Sequence, residues 1–333
     1  MNISQKTSIS SLMHHINKGQ LTILVDHALL LDLEVDRSTL ASSFNALRLP
    51  FLKQMLTSRG QPQFFPCDED ALSSSFDSAF SHAMNTPHVD GLSARAQLAY
   101  QTQLAQTAVS SHLKESPPNT TPNELLGYAL VHLCHWRVGG GHVIMNNPKS
   151  IDTEDTEAFR KKLEPLFTSE GFDLLPYRSD TWIARSLHLR NLPSASYTKV
   201  MNDDVLPWLI GSPHKNAANQ NDQLEPSIQK LRRLQSEVQM VLYDQSQTAP
   251  KPGSFNSIWF SGTGDLPEHW KKLSLLSPSE SSQVELYTHS DSQILCLHGL
   301  TQHMQNFDLN TWRAQFEEID QLIFKSLLEK AKP

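Results

Sequence analysis

The chain has 333 residues, of which 19% are charged and 38% hydrophobic, with a formal net charge of −7. That length suits one large domain or two ordinary ones, and an acidic balance with no long Lys/Arg run argues against a nucleic-acid footprint. Nothing approaches the roughly 18 consecutive apolar residues of a membrane span; residues 1–20 lack an apolar core followed by a small-residue cleavage site, and Cys67, Cys134 and Cys296 form no CxxC, so a reduced, cytoplasmic setting away from membranes is expected.

The first core strand is expected over 21–31 (LTILVDHALLL), interrupted by Asp26-His27. Ser38 is placed to cap a helix carrying Leu40, Phe44 and Leu47, and Pro50 opens another bearing Leu52, Met55 and Leu56, ended by Gly60. Residues 68–121 are rich in Ser, Ala and Gln; Leu72, Phe76 and Phe80 recur four apart and start a helix, Asn85-Thr86-Pro87 breaks it, and a polar helix follows between 92 and 113. Pro117-Pro118-Asn119 reads as a linker. Thr121-Pro122-Asn123-Glu124 carries a capping-box pattern with Pro at the first helical position and predicts a short helix.

A strand over 131–138, three glycines at 139–141 and a returning strand over 142–145 predict a hairpin. Phe159, Leu163, Leu166 and Phe167 stripe the next helix, capped by Asp152 or Thr153 and stopped by Gly171; strands follow over 172–177 and 181–189, and 211–226 reads as a polar linker. Ile228, Leu231, Leu234, Val238 and Leu242 then mark a long amphipathic helix, which leads into a bulky strand, Phe255 to Phe260, ending in Ser261-Gly262-Thr263-Gly264. A helix feeding a strand that ends in glycines is how an α/β sheet presents a loop at its carboxyl edge. Two strands over 283–287 and 293–298 and a helix striped by Trp312, Phe316, Ile319, Ile323 and Leu327 close the chain.

Few constellations carry chemistry. Asp26 ends the first strand, where phosphate-transfer folds hold a metal ligand, and a turn residue is the bland alternative. His298 and His303 bracket a segment near Asp308. On a strand, His132 and Cys134 share a face that His135 does not, so these and His142 make ordinary strand residues rather than a zinc set. Gly262-Thr263-Gly264 could offer N–H groups to a phosphate, but lacks the Gly-Lys-Ser/Thr of a P-loop and the third glycine of a dinucleotide fingerprint. Arg178, Arg185 and Arg190 could clamp an anion or be solvated.

The segment 254–264 (SFNSIWFSGTG) resembles the Asn-x-Ile/Leu-Trp-hydrophobic-x-Gly-x-Gly strand of archaeal-type cofactor-independent phosphoglycerate mutases, and more closely that of a proteobacterial group of mutase-like regulatory proteins, the RpfE-like family. The preceding KLRRLQSEVQMVLYD helix, the pair from His135-Trp136-Arg137-Val138 to Met145, the Leu49-Pro50-Phe51-Leu52 helix and the late Ile319-Asp320 helix are similar to that superfamily in the same order. The resemblance implies an alkaline-phosphatase-like α/β sandwich, a mixed sheet with helices on both faces, built from 1–125 and 226–333, with a small α+β domain and linker inserted over 126–225.

It also implies what is missing. The active enzymes hold two divalent metals with Asp and His residues at strand ends and use a Ser nucleophile. Here Asp26-His27 stands in place of Asp-Gly, the segment from Cys296 to His303 lacks the family's Asp, and the His-Pro-x-Asn segment is reduced to Gln245-Ser246-Gln247-Thr248-Ala249-Pro250. The expectation is a degenerate, bacterial, regulatory member without a metal or other cofactor, which binds a phosphorylated small molecule through Asn256, Trp259, Gly262, Gly264 and Arg185, or a protein partner. The rivals are a live phosphatase or mutase using Mn or Zn at Asp26, His298, His303 and Asp308, and a pure interaction module.

Overall fold

The computed structural model describes residues 12–16, 19–26, 37–58, 61–65, 68–110, 126–148, 153–212, 223–248, 255–265, 270–273, 284–300 and 308–331. In chain order these form β1 (Gln20–Val25), α1 (Arg37–Ala46), α2 (Pro50–Ser58), α3 (Ser75–Ala83), α4 (Arg95–Ser110), β2 (Gly127–Gly139), β3 (His142–Asn146), α5 (Thr153–Ser169), β4 (Asp173–Leu175) and β5 (Thr181–Ser186). There follow α6 (Tyr197–Val200), α7 (Glu225–Thr248), β6 (Ser257–Ser261), β7 (Lys271–Leu273), β8 (Val284–His289), β9 (Ser292–Leu297), α8 (Leu309–Ile319), a π turn (Asp320–Phe324) and α9 (Lys325–Lys330). No helix among the described residues is long and apolar enough to cross a membrane.

The chain divides into two compact units, Met1–Phe65 with Lys272–Pro333, and Pro66–Lys271. The inserted unit is therefore longer than the 126–225 expected from sequence. The reason is pairing: β6 hydrogen-bonds along β2, Ser257 to Ser261 against Cys134 to Leu130. The Trp strand is thus part of the middle unit's sheet.

The discontinuous unit holds a four-stranded sheet in the order β1-β9-β8-β7. β1 runs parallel to β9, and β8 antiparallel to it, so this sheet is mixed. Side chains alternate between faces. Leu295 and Leu297 of β9, Leu286 of β8 and Ile23 of β1 face one way and pack with Trp312, Phe316 and Ile323 of the last helical segment. The helix stripe that the sequence displays is what fills this core. Asp26, which ends β1, shares the opposite face with Leu24, Cys296 and Glu285, because Leu24 lies opposite Cys296 and Cys296 opposite Glu285.

The middle unit is built on β2, a 13-residue strand, in a five-stranded sheet ordered β3-β2-β5-β4 with β6 also on β2. Its described ladders are antiparallel. The glycine turn after β6 is therefore not at the carboxyl edge of a parallel sheet, as the helix–strand–glycine order suggested. Ala129, Val131 and Leu133 project onto Leu163 and Phe167 of α5 and the apolar stripe of α7. On the other face Tyr128 and Leu130 meet Ala96, Ala99 and Tyr100 of α4, while Cys134 and Trp259 meet Ala195, Val200 and Trp208. Both units are mixed α/β, with helices packed on their sheets.

Candidate functional site

Two of the residues singled out from sequence come together in the discontinuous unit. Asp26 follows β1 and His298 follows β9, and these strands are parallel neighbours whose register continues past their ends, the Asp26 N–H donating to Leu297 O at 3.0 Å. The carboxyl end of a parallel pair is where α/β sheets bring loop residues together. His298 Nδ1 lies 3.6 Å from Asp26 Oδ2, and His298 Nε2 lies 3.2 Å from Glu285 Oε2. Tyr287 donates its hydroxyl to the same Glu285 oxygen at 2.7 Å.

Alternation explains the gathering. Asp26, Glu285, Tyr287 and His298 all fall on the sheet face opposite Leu286, Leu295 and Leu297. Asp26 is 7% exposed, Glu285 5% and Tyr287 2%. A buried carboxylate needs a partner, and here one imidazole faces two of them. An imidazole with carboxylate oxygens near both ring nitrogens is placed to pair with them when it is protonated. Among the described residues no group of three His, Cys, Asp or Glu side chains could hold a metal ion.

The remaining candidates stand elsewhere. His303 lies outside the described residues. Asp308 is the N-cap of α8 and accepts from the Thr311 N–H at 3.0 Å. Sequence reasoning missed Glu285 and Tyr287, although the alternation Val284-Glu285-Leu286-Tyr287 carried the signal: a Glu and a Tyr together on the face opposite a core Leu.

In the middle unit each ligand-binding candidate is engaged by the protein itself. The Asn256 side chain accepts from the Trp136 N–H at 2.6 Å and donates to Trp136 O at 2.9 Å, which extends the β2–β6 pairing by one step. Trp259 is buried and donates its indole N–H to Ala195 O at 2.8 Å. The Gly264 N–H donates to Ser93 O at 2.8 Å, and the Ala96 N–H donates to Gly262 O at 3.2 Å. Between them Thr263 donates its hydroxyl to Leu192 O at 2.6 Å. A side chain at Gly264 would put Cβ 2.6 Å from Ser93 N, so the glycine there serves close packing. Arg185 donates to Asp173 Oδ2 at 2.9 and 2.7 Å and to the Tyr100 hydroxyl at 2.9 Å.

Three of the four residues weighed for zinc are accounted for by the protein itself. His132 lies between the Ser261 and Thr181 hydroxyls. Burial pushes the Cys134 thiol up, and His142 pairs with Asp204 at 2.9 Å.

Set against known proteins, the chain matches no family model, no curated protein and no solved structure.

Proposed function

We propose that the chain is a catalytically degenerate phosphoglycerate-mutase-like protein, with an alkaline-phosphatase-like core, that acts in the bacterial cytoplasm by binding rather than by phosphoryl turnover. The observation that carries this reading is the fate of His298. It sits at a strand end where the mutase-like fold would hold a metal ligand, yet its two ring nitrogens face Asp26 and Glu285 at 3.6 and 3.2 Å. A two-metal site clamps both oxygens of an in-line phosphoryl transfer, and that electrostatic stabilisation is most of the catalysis. An imidazole engaged with two carboxylates supplies none of it. The ligand is a phosphorylated metabolite or a protein partner.

The test is metal content of the purified protein together with phosphatase and phosphoglycerate mutase turnover in Mn²⁺. The expected result is sub-stoichiometric metal and no turnover. Stoichiometric metal, with turnover that disappears in Asp26→Ala, would overturn the proposal in favour of an active metal-dependent enzyme. The feature favouring that second reading is the convergence of Asp26 and His298 at the carboxyl ends of neighbouring parallel strands.

A further inference from the structure

His132 has a role in neither reading, and it is hydrogen-bonded to a serine. In register, His132 lies opposite Thr181 of β5 on one side and Trp259 of β6 on the other, and Ser261 is two residues beyond Trp259. Thr181, His132 and Ser261 therefore form a row across three strands on one face. His132 Nε2 is 2.9 Å from Ser261 Oγ, His132 Nδ1 is 3.4 Å from Thr181 Oγ1, and Thr181 Oγ1 donates to Asp180 Oδ1 at 3.0 Å.

These contacts favour one tautomer. A threonine hydroxyl has one proton, and an ionised carboxylate only accepts. With the Thr181 proton given to Asp180, Thr181 Oγ1 can only accept from His132, so Nδ1 carries the ring hydrogen. Nε2 is then a lone pair aimed at Ser261, and the Ser261 O–H donates to it. That is the hydroxyl–imidazole–acceptor order of an activated serine nucleophile. Burial, with Arg95 and Arg178 adding positive potential, pushes His132 down to about 3, so the imidazole is neutral at pH 7.

The same corner is prepared for negative charge. The first turn of α4, a 16-residue helix, bonds to the residue after Ser261 through the Ala96 N–H and Gly262 O. Ser93, whose carbonyl holds the Gly264 N–H, has a buried hydroxyl with no hydrogen-bond partner, and such a group calls for a ligand or water. His132 is half-buried between the apolar cluster under α4 and the one around Trp259, its ring stacked on that of Tyr197 with centroids 4.2 Å apart, and Ser261 beside it is buried.

We infer that the middle unit carries a metal-independent acyl-transfer site, with Ser261 as nucleophile and His132 as general base, for small esters bearing a carboxylate or phosphate. Ser261 Oγ attacks the ester carbonyl carbon while its proton passes to His132 Nε2; the carbonyl carbon–alkoxy oxygen bond breaks and the departing alcohol takes that proton. Water then attacks the acyl-Ser261 ester, giving one proton to Nε2, which returns it to Ser261 Oγ as the acid leaves. Thr181 and Asp180 are positioning residues that hold the imidazole's tautomer. This site is independent of the proposed binding function and of the Asp26–His298 cluster.

The experiment uses the full chain after EDTA treatment. It is reacted with an alkyl fluorophosphonate and followed by intact mass and peptide mapping, and its hydrolysis of 4-nitrophenyl acetate and 4-nitrophenyl hemisuccinate is compared. The expected result is one adduct, on Ser261, and faster cleavage of the anionic ester. Ser261→Ala should lose the adduct and the hydrolysis, His132→Gln should slow hydrolysis about 100-fold or more, and Arg178→Gln should remove the preference for the hemisuccinate. Thr181→Val keeps the strand's shape and the nucleophile, and should slow labelling and displace its pH profile. No adduct on folded wild-type protein, an adduct that persists in Ser261→Ala, or labelling unchanged in Thr181→Val would overturn the inference. Because metal is removed, failure here leaves the metal-and-turnover test of the binding function untouched.

Discussion

Asp320 is the group whose loss should be felt most in the discontinuous unit. Its residue is fully buried, and its two oxygens accept from the backbone N–H groups of Leu52 at 2.7 Å and Phe51 at 3.2 Å. These are first-turn donors of α2, which have no partner inside the helix. The residue in the capping position is Leu49, whose carbonyl accepts from the Lys53 N–H and whose side chain has no acceptor. Asp320 thus supplies across the fold the cap that the local sequence lacks, and its negative charge sits at the positive end of the helix. Charge-assisted bonds to backbone donors are worth about 1.5–3 kcal/mol each, and stripping a partner from buried groups costs more than the net bond. Asp320→Ala should therefore destabilise the unit by ~3–4 kcal/mol and Asp320→Asn, which keeps one acceptor, by ~2 kcal/mol. Because two units need not unfold together, the assay is native-state hydrogen exchange on peptides covering 48–58, beside urea denaturation. A loss below ~0.5 kcal/mol in Asp320→Ala, with exchange of the Phe51 and Leu52 amides unchanged, would refute the reasoning.

Other outcomes follow from the same kind of accounting. His298→Ala removes the imidazole from between the Asp26 and Glu285 carboxylates, while Tyr287 still donates to Glu285, and should cost ~2 kcal/mol, read by urea denaturation; a loss under ~0.5 kcal/mol would mean the cluster is wet and open. Asn256→Ala removes both bonds to the Trp136 peptide groups and should cost ~2 kcal/mol in the middle unit, with faster exchange of the Trp136 amide as the local readout. Gly264→Ala drives a methyl into the Ser93 backbone, whereas a Cβ at Gly139 meets nothing within 4 Å; a thermal melt should show the first variant down by ~2–3 kcal/mol and Gly139→Ala near wild type. His132 titrates at about 3 when folded against an ordinary 6.5, so the unfolded chain binds more protons between those values. Its contribution to stability is complete above pH 6.5 and is lost as pH falls towards 3, with a slope approaching ~1.4 kcal/mol per pH unit. Urea midpoints of wild type and His132→Gln should diverge over that window, and parallel curves would sink the assignment.

Periodicity carried most of the element pattern. The hairpin over 131–145 and the helix striped by Phe159, Leu163 and Phe167 correspond to β2, β3 and α5, because spacing and glycine turns are local properties. Partnership is not local, and that is where the reading stopped. The bulky strand before Gly262 gives no sign that it pairs antiparallel with 130–134, a segment more than a hundred residues earlier. Without that pairing the middle unit's extent could not be read, nor could Ser261 be brought to His132. The Thr121-Pro122-Asn123-Glu124 start lies outside the described residues. The strand over 172–177 shrank to Asp173–Leu175, and the one over 181–189 ends at Ser186, where a short 3-10 turn, Leu187–Leu189, takes over. At the site, Asp26 and His298 were legible because each ends an apolar run. Glu285 was not, since its importance comes from lying opposite Cys296 in the next strand.

The stretch that carries most of the resemblance, 254–264, bears on fold and activity differently. Asn256 completes a strand pairing, Trp259 anchors the segment before α6, and Gly264 lets Ser93 approach its backbone. None of these jobs requires a ligand, and each would be needed by any protein with this sheet, active or not. A match at such residues is therefore evidence about how the chain is put together. The chemistry has to be argued from groups whose placement packing does not explain. In the discontinuous unit that is a histidine held between two buried carboxylates. In the middle unit it is a serine hydrogen-bonded to a half-buried imidazole. Neither group arises from burial alone, because a hydrophobic residue at His132 or Glu285 would fill the same space without desolvating polar atoms. The polar groups cost stability that apolar ones would not, so these two clusters, and not the glycine turn, are the places to look for what the protein does.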